Sequence, residues 1–314
     1  MPAEILGRKV GSVGYGLLGC QRPHTFTQLN HSNSSSQDTF TQLNHSNSLT
    51  LLNKYYAKYP EDADKVVLNS KGALKSGLIP DGSPKIIVRQ SVERCVEMLG
   101  GKGKIDMLEC GRRDPNTEVD IKSPGNAKKR VHGTLDELVK EDKIGGVALS
   151  EVNGDTIRAA AKITRIVAVE VEISLFSTER LPNGVARACA ELNIPTIAYC
   201  PFGRGMLSGQ IKSFDDIPEK DFRGMLPRFQ PPNFENNMKL VKQLETLAQK
   251  KKCTSAQLAL AWVDPPTGDR IIENGEASDV ELNEGETVEI DRVLATCEVT
   301  GDRYHPAGMK SING

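Results

Sequence analysis

Short apolar runs and amphipathic stretches alternate along most of this chain. The runs near residues 13, 66, 105, 145, 167, 196 and 270 are too continuously apolar to leave a face for water, which predicts buried parallel strands. Between them, Ile86–Leu99 puts Val88, Val92, Cys95, Val96 and Leu99 on one helical face. Thr134–Lys140 opens on Thr134 with Glu137 three residues later, the spacing of a capping box. Leu51–Tyr59, Gly154–Ala161, Asn183–Leu192, Met238–Lys250 and Thr254–Val263 read as further helices, and the acidic tail from Val280 as weakly helical. Ile5–Val10 reads as a short hairpin.

Repeated strand–helix units imply a parallel sheet covered by helices. A chain of 314 residues has room for a (β/α)8 barrel, which typically takes about 250, and that architecture leads over a doubly wound sheet. The whole span 1–314 reads as a single barrel domain. Two segments interrupt it. Residues 22–48 hold one decapeptide, Thr25–Ser34, repeated letter for letter as Thr39–Ser48. A single duplication rich in Ser, Asn, Gln and Thr is too short for a solenoid and reads as a flexible polar segment in place of a second strand. Residues 121–133 read as a basic surface insertion.

Composition narrows the function. The formal charge is -1, which gives no electrostatic footprint for nucleic acid. No apolar run approaches the roughly 20 residues of a membrane span, and the first residues lack a signal-peptide core, so a cytoplasmic protein is expected. The seven cysteines include no CxxC pair, which favours free thiols. His31 and His45 have no acidic or cysteine partner at ligand spacing, and no metal site is expected. No GxSxG or HExxH motif is present, which disfavours a serine hydrolase and a zinc enzyme.

The chemistry concentrates in Tyr199–Gly209, directly after the apolar run Ile194–Ala198. A strand that runs into a glycine-rich loop places backbone N–H groups at the strand's C-terminal end, where α/β folds bind ligands. The glycines let the backbone approach a phosphate, Arg204 adds charge, and Tyr199 offers a flat face. An ordinary strand-to-helix connection would carry the same glycines. Gly14, Gly16 and Gly19 formally match GxGxxG, but no helical period follows them, so a glycine-bearing first strand is the better reading. Lys71 closes an apolar run, as an exposed strand-end lysine also would.

Asp114–Thr117, Lys143–Val152, Glu170–Ser177 and Tyr199–Gly209, in that order, resemble the aldo-keto reductase family and within it the fungal pyridoxal reductase branch. The resemblance implies a (β/α)8 barrel that binds NADPH across the strand ends and reduces an aldehyde, here pyridoxal to pyridoxine, by hydride transfer. It places Lys71 as the active-site lysine, and Ser150 and Glu170 at the nicotinamide amide. It places Tyr199 under the nicotinamide ring, and Phe202, Gly203, Arg204 and Leu207 in the pyrophosphate loop. Glu273 and Asn274 fall near the adenine. The family pattern is also broken. Its catalytic tyrosine belongs to the second strand, where segment 22–48 holds none; Tyr55 and Tyr56 lie in the next helix, and Gly111 occupies the histidine position. The eighth-strand loop between Ile272 and Glu273 is shortened. The alternative is a catalytically silent relative that binds nucleotide or a protein partner.

Overall fold

The structure is a computed structural model, and it describes residues 4–5, 8–9, 12–15, 25–30, 48–72, 74–75, 79–80, 88–110, 131–178, 184–219, 221–263, 280–310 and 312. Gly111, the strand expected near 270, Glu273 and Asn274 lie outside the described residues, as do 121–130. The strands are β1 (Glu4–Ile5), β2 (Arg8–Lys9), β3 (Ser12–Tyr15), β4 (Thr25–Asn30), β5 (Val66–Gly72), β6 (Leu74–Lys75), β7 (Ile79–Pro80), β8 (Met107–Cys110), β9 (Gly146–Ser150), β10 (Ile166–Glu172) and β11 (Thr196–Tyr199). The helices are α1 (Ser48–Lys58), α2 (Arg89–Leu99), α3 (Val131–Lys140), α4 (Gly154–Ala161), α5 (Val185–Leu192), α6 (Asn233–Lys251), α7 (Ser255–Val263), α8 (Glu284–Thr296) and α9 (Pro306–Met309).

Seven strands form one sheet in the order β11-β10-β9-β8-β5-β4-β3, and the pairs from β3 through β10 are parallel. Each large-sheet strand therefore lies beside its sequence neighbour in that sheet. This serial order belongs to a (β/α)8 barrel, whereas a doubly wound sheet reverses its order part-way. All residues of β9 and β10 are buried, as their apolar runs require. β1 and β2 pair antiparallel, as expected of a hairpin.

The chain divides into two compact units. The larger holds 2–171 and 181–197 together with 311–314, and thus most of the sheet. Its sheet core gathers Val67, Met107, Ala148, Val167, Ala168 and Ile197. The other comprises 172–180 and 198–310, together with Met1. Its core forms where α6 buries Phe234, Met238, Val241, Leu244 and Ala248, at helical spacing, among apolar residues that include Phe176, Phe229, Leu258 and Ile290.

Three local expectations change. The first copy of the polar repeat supplies a strand: Thr25–Asn30 pairs with β3 on one side and β5 on the other. Its Thr, Phe and Leu residues suit an extended backbone even though the segment is polar in composition. Thr134 does not cap a helix, because α3 starts a turn earlier at Val131 and Thr134 is buried inside it. A Ser/Thr-to-Glu spacing is a local signal, and here the burial of Leu135 and Leu138 fixes the helix instead. Val96 is exposed, while Val88, Val92, Cys95 and Leu99 form the buried face.

Candidate active site

Parallel pairing aligns chemistry along the C-terminal ends of the strands. Asn30 of β4 lies in register with Lys71 of β5, and Lys71 with Glu109 of β8. Glu170 of β10 is in register with Ser150 of β9. Glu109 is in register with Ala148, two residues before Ser150, so Ser150 and Glu170 lie on the same face of the sheet one row beyond Glu109, and Lys71 shares the row of Glu109.

Lys71 is buried in that row rather than exposed at a strand end. Its Nζ donates to Glu170 Oε1 and lies 3.0 Å from Glu109 Oε1. Asn69 Nδ2 donates to Glu109 Oε2 at 2.8 Å. Asn69 and Glu109 are fully buried. Burial opposes the charge on Lys71, but Glu109 and Glu170 outweigh it and hold the ammonium above its ordinary range. Lys71 is therefore a fixed cation at neutral pH and has no capacity to act as a base. Ser150 is buried at the end of β9. Glu109 and Asn69 escaped the sequence reading, although a carboxylate within the apolar run Lys104–Glu109 is a readable signal: such a group, once buried, needs a partner.

The other unit carries the glycine-rich turn. After Tyr199 the backbone takes positive φ at Cys200 (53°), Gly203 (54°), Arg204 (58°) and Gly205 (102°). A Cβ on Gly203 would lie 3.0 Å from Cδ2 of Phe176, so the close packing of this turn depends on glycine. Leu207 is buried, and Phe202 packs on the same apolar core. Arg204 Nη2 donates to Glu172 Oε2 at 3.0 Å, and its guanidinium sits 4.8 Å from the Tyr304 ring centroid. Burial works against the Arg204 charge, but Glu172 leads the groups that raise its pKa above the usual arginine range. Arg303 Nη1 approaches Glu172 Oε2 at 3.3 Å, and Arg228 Nη1 donates to Ser177 Oγ at 2.8 Å. Tyr199 is buried, with its hydroxyl 3.0 Å from that of Tyr304.

These features gather positive charge at the turn. Glu172, Gly203, Arg204, Arg228 and Arg303 line one small cavity, three guanidiniums against one carboxylate. The cavity has a volume of about 10 Å³, room for a water, and its excess of positive charge lies beside a turn whose backbone can come close to an anion. The sequence-derived residues thus form two sets, Lys71, Ser150 and Glu170 in the larger unit, and Tyr199, Phe202, Gly203, Arg204 and Leu207 in the other.

The Aldo/keto reductase family matches residues 43–273, and the chain belongs to that family. It is an oxidoreductase family. The chain is 37% identical over 286 residues to the "Putative pyridoxal reductase" of Saccharomyces cerevisiae, covering 83% of this chain and 81% of that protein. It is 34% identical over 279 residues to the "Probable pyridoxal reductase 2" of Schizosaccharomyces pombe, covering 82% and 80%. With the "Aldo-keto reductase yakc (NADP(+))" of Schizosaccharomyces pombe it shares 41% identity over 197 residues, 58% of each chain. The glycerol dehydrogenase AKR11B4 from Gluconobacter oxydans superposes with a TM-score of 0.67 at 19% identity, covering 90% of this chain and 84% of that one. That likeness concerns the fold alone, and with the family match it gives the (β/α)8 barrel class.

Proposed function

We propose that this chain is an NADPH-dependent reductase of an aldehyde, and that the aldehyde is pyridoxal, reduced to pyridoxine. The observation that carries the reading is the buried Lys71 held between Glu109 and Glu170 at the strand ends. A carbonyl oxygen gains negative charge as it is reduced. A cation fixed in a site with little water stabilises that charge without reorganising. The two carboxylates keep the Lys71 ammonium charged and aimed, and burial keeps water away from the reacting carbonyl.

NADPH, when bound, supplies the hydride. In this reading Ser150 and Glu170 meet the nicotinamide amide, and Tyr199 orients the ring. Phe202, Gly203, Arg204 and Leu207 shape the pyrophosphate turn, Arg204 with its charge and Leu207 from within the core. Glu273 and Asn274 meet the adenine. The reading treats 1–314 as one barrel domain acting in the cytoplasm on a small aldehyde.

A second reading has its own support. Segment 22–48 contains no tyrosine, and a missing general acid costs roughly 10²–10⁴-fold in rate. Two carboxylates also face the single Lys71 charge. Both observations suit a silent relative that binds nucleotide without turnover. Titration with NADPH, followed by intrinsic fluorescence, and pyridoxal-dependent loss of NADPH absorbance separate the two. Saturable binding with turnover is expected. Binding without turnover of pyridoxal or simpler aldehydes favours the silent relative, and absence of binding removes both.

A further inference from the structure

The stretch between α8 and α9 is anchored before it reaches the glycine-rich turn. Asn237, fully buried on α6, donates through Nδ2 to the carbonyls of Thr300 (2.9 Å) and Arg228 (3.0 Å). Its Oδ1 accepts from the Thr300 N–H at 2.8 Å. Arg228 Nε donates to the Gly301 carbonyl at 3.0 Å. Gly301 has φ +84°, and a Cβ there would fall 2.8 Å from the Pro227 carbonyl carbon. Any side chain would be strained at that φ and would collide with backbone. These bonds fix where residues 303 and 304 emerge.

Both emerging residues address the turn. The buried Arg303 and Arg204 share one oxygen of Glu172, at 3.3 and 3.0 Å. Tyr304 makes two contacts that bear on the turn, beside a longer one from the Arg303 guanidinium at 5.9 Å. Its ring lies under the Arg204 guanidinium at 4.8 Å, and its hydroxyl meets that of Tyr199 at 3.0 Å.

We infer that Tyr304 is a positioning residue for the nucleotide site: its ring sets Arg204 and its hydroxyl sets Tyr199. The inference rests on the reading above in which Arg204 and Tyr199 meet the dinucleotide. It assigns a role to the C-terminal stretch that no contact with substrate requires. A ring under a guanidinium restricts its rotamers while leaving donors for an anion. A hydroxyl pair restricts the rotation of Tyr199 about its own axis.

The test uses the full chain and two variants, Tyr304→Phe and Tyr304→Leu. Each is titrated with NADPH, the emission of bound NADPH is recorded at saturation, and a thermal melt is run. Tyr304→Leu loses the ring and should weaken NADPH binding about 10-fold, in the range of a partly desolvated cation–π contact. Tyr304→Phe keeps the ring, so it should restore the affinity to within about 2-fold of wild type, cation–π attraction being similar for the two rings. It should also alter the bound emission, because Tyr199 has lost its partner. Equal binding and emission in all three chains would overturn the inference. So would parallel losses of affinity and melting temperature in both variants, since that marks a merely structural tyrosine. If the wild type binds no NADPH, the underlying reading fails, which the wild-type titration alone reports.

Discussion

Lys71 concentrates the energetics of the candidate site in one side chain. Replacing it with methionine would leave Glu109 and Glu170 buried without their cation. Breaking a buried pair on one side typically costs about 3–5 kcal/mol. Lys71→Met is therefore expected to lower stability by that order in urea melts, and to reduce turnover at least about 10²-fold. Full stability in Lys71→Met would show that the three groups are not coupled. The same contacts set a pH dependence. The folded pKa of Lys71 lies above its unfolded value near 10.5. Its stabilising contribution is whole below that unfolded value and is lost as pH rises through the folded one. Alkaline melts should thus show stability falling above about pH 10.5 more steeply in the wild type than in Lys71→Met. No local pattern marks Lys71 as buried. That follows from Glu109 and Glu170, 38 and 99 residues further along the chain, and only folding brings these groups together.

At the scale of elements, local signals served best where the deciding bonds are also local. α8 shows this. Asn283 accepts from the Glu286 N–H at 3.0 Å, and Glu286 accepts from the Asn283 N–H at 2.9 Å, a reciprocal capping box. Lys251 donates to both Glu286 oxygens at 2.8 Å, tying α8 to α6. The Asn-to-Glu spacing was readable, and the tail is a better helix than its composition suggested. Asn283→Ala is expected to cost about 0.5–2 kcal/mol in chemical denaturation. Lys251 foremost, then the Asn283 N–H, hold the Glu286 carboxyl below its ordinary value. Its contribution is present above the unfolded pKa and fades as pH falls through the folded one, so the deficit of Glu286→Gln should shrink in acid, whereas that of Asn283→Ala, which removes only the Oδ1 acceptor, should not. α3 is the opposite case. The Thr134–Glu137 spacing promised a start, but the burial of Leu135 and Leu138 against the core decided where the helix runs.

At the scale of the molecule, the polar repeat decides how far the sheet extends. Thr25–Asn30 is a central strand of the large sheet, bonded on both sides, and its last residue is in register with Lys71. A proline inside it would remove a ladder hydrogen bond and have no edge to retreat to. Thr27→Pro is expected to lower the melting temperature far more than Thr27→Val, which keeps the backbone N–H and suits a strand. Equal effects would mean that Thr25–Asn30 is not a central strand. The polar composition of this decapeptide gave no local sign that it forms a strand.

Period and order along the chain were enough to determine the class: buried apolar runs alternating with amphipathic helices, in a series that suits a barrel. The glycine-rich turn was legible for the same reason, because positive φ and close backbone packing are demands on single residues, met by Gly203 and Gly205. Tertiary structure decided the rest. It paired Thr25–Asn30 into the sheet, buried Lys71 between two carboxylates, and brought Arg303 and Tyr304 to Arg204 and Tyr199. Those outcomes depend on hydrogen bonds and ion pairs between groups far apart in sequence, whose partners no local pattern specifies.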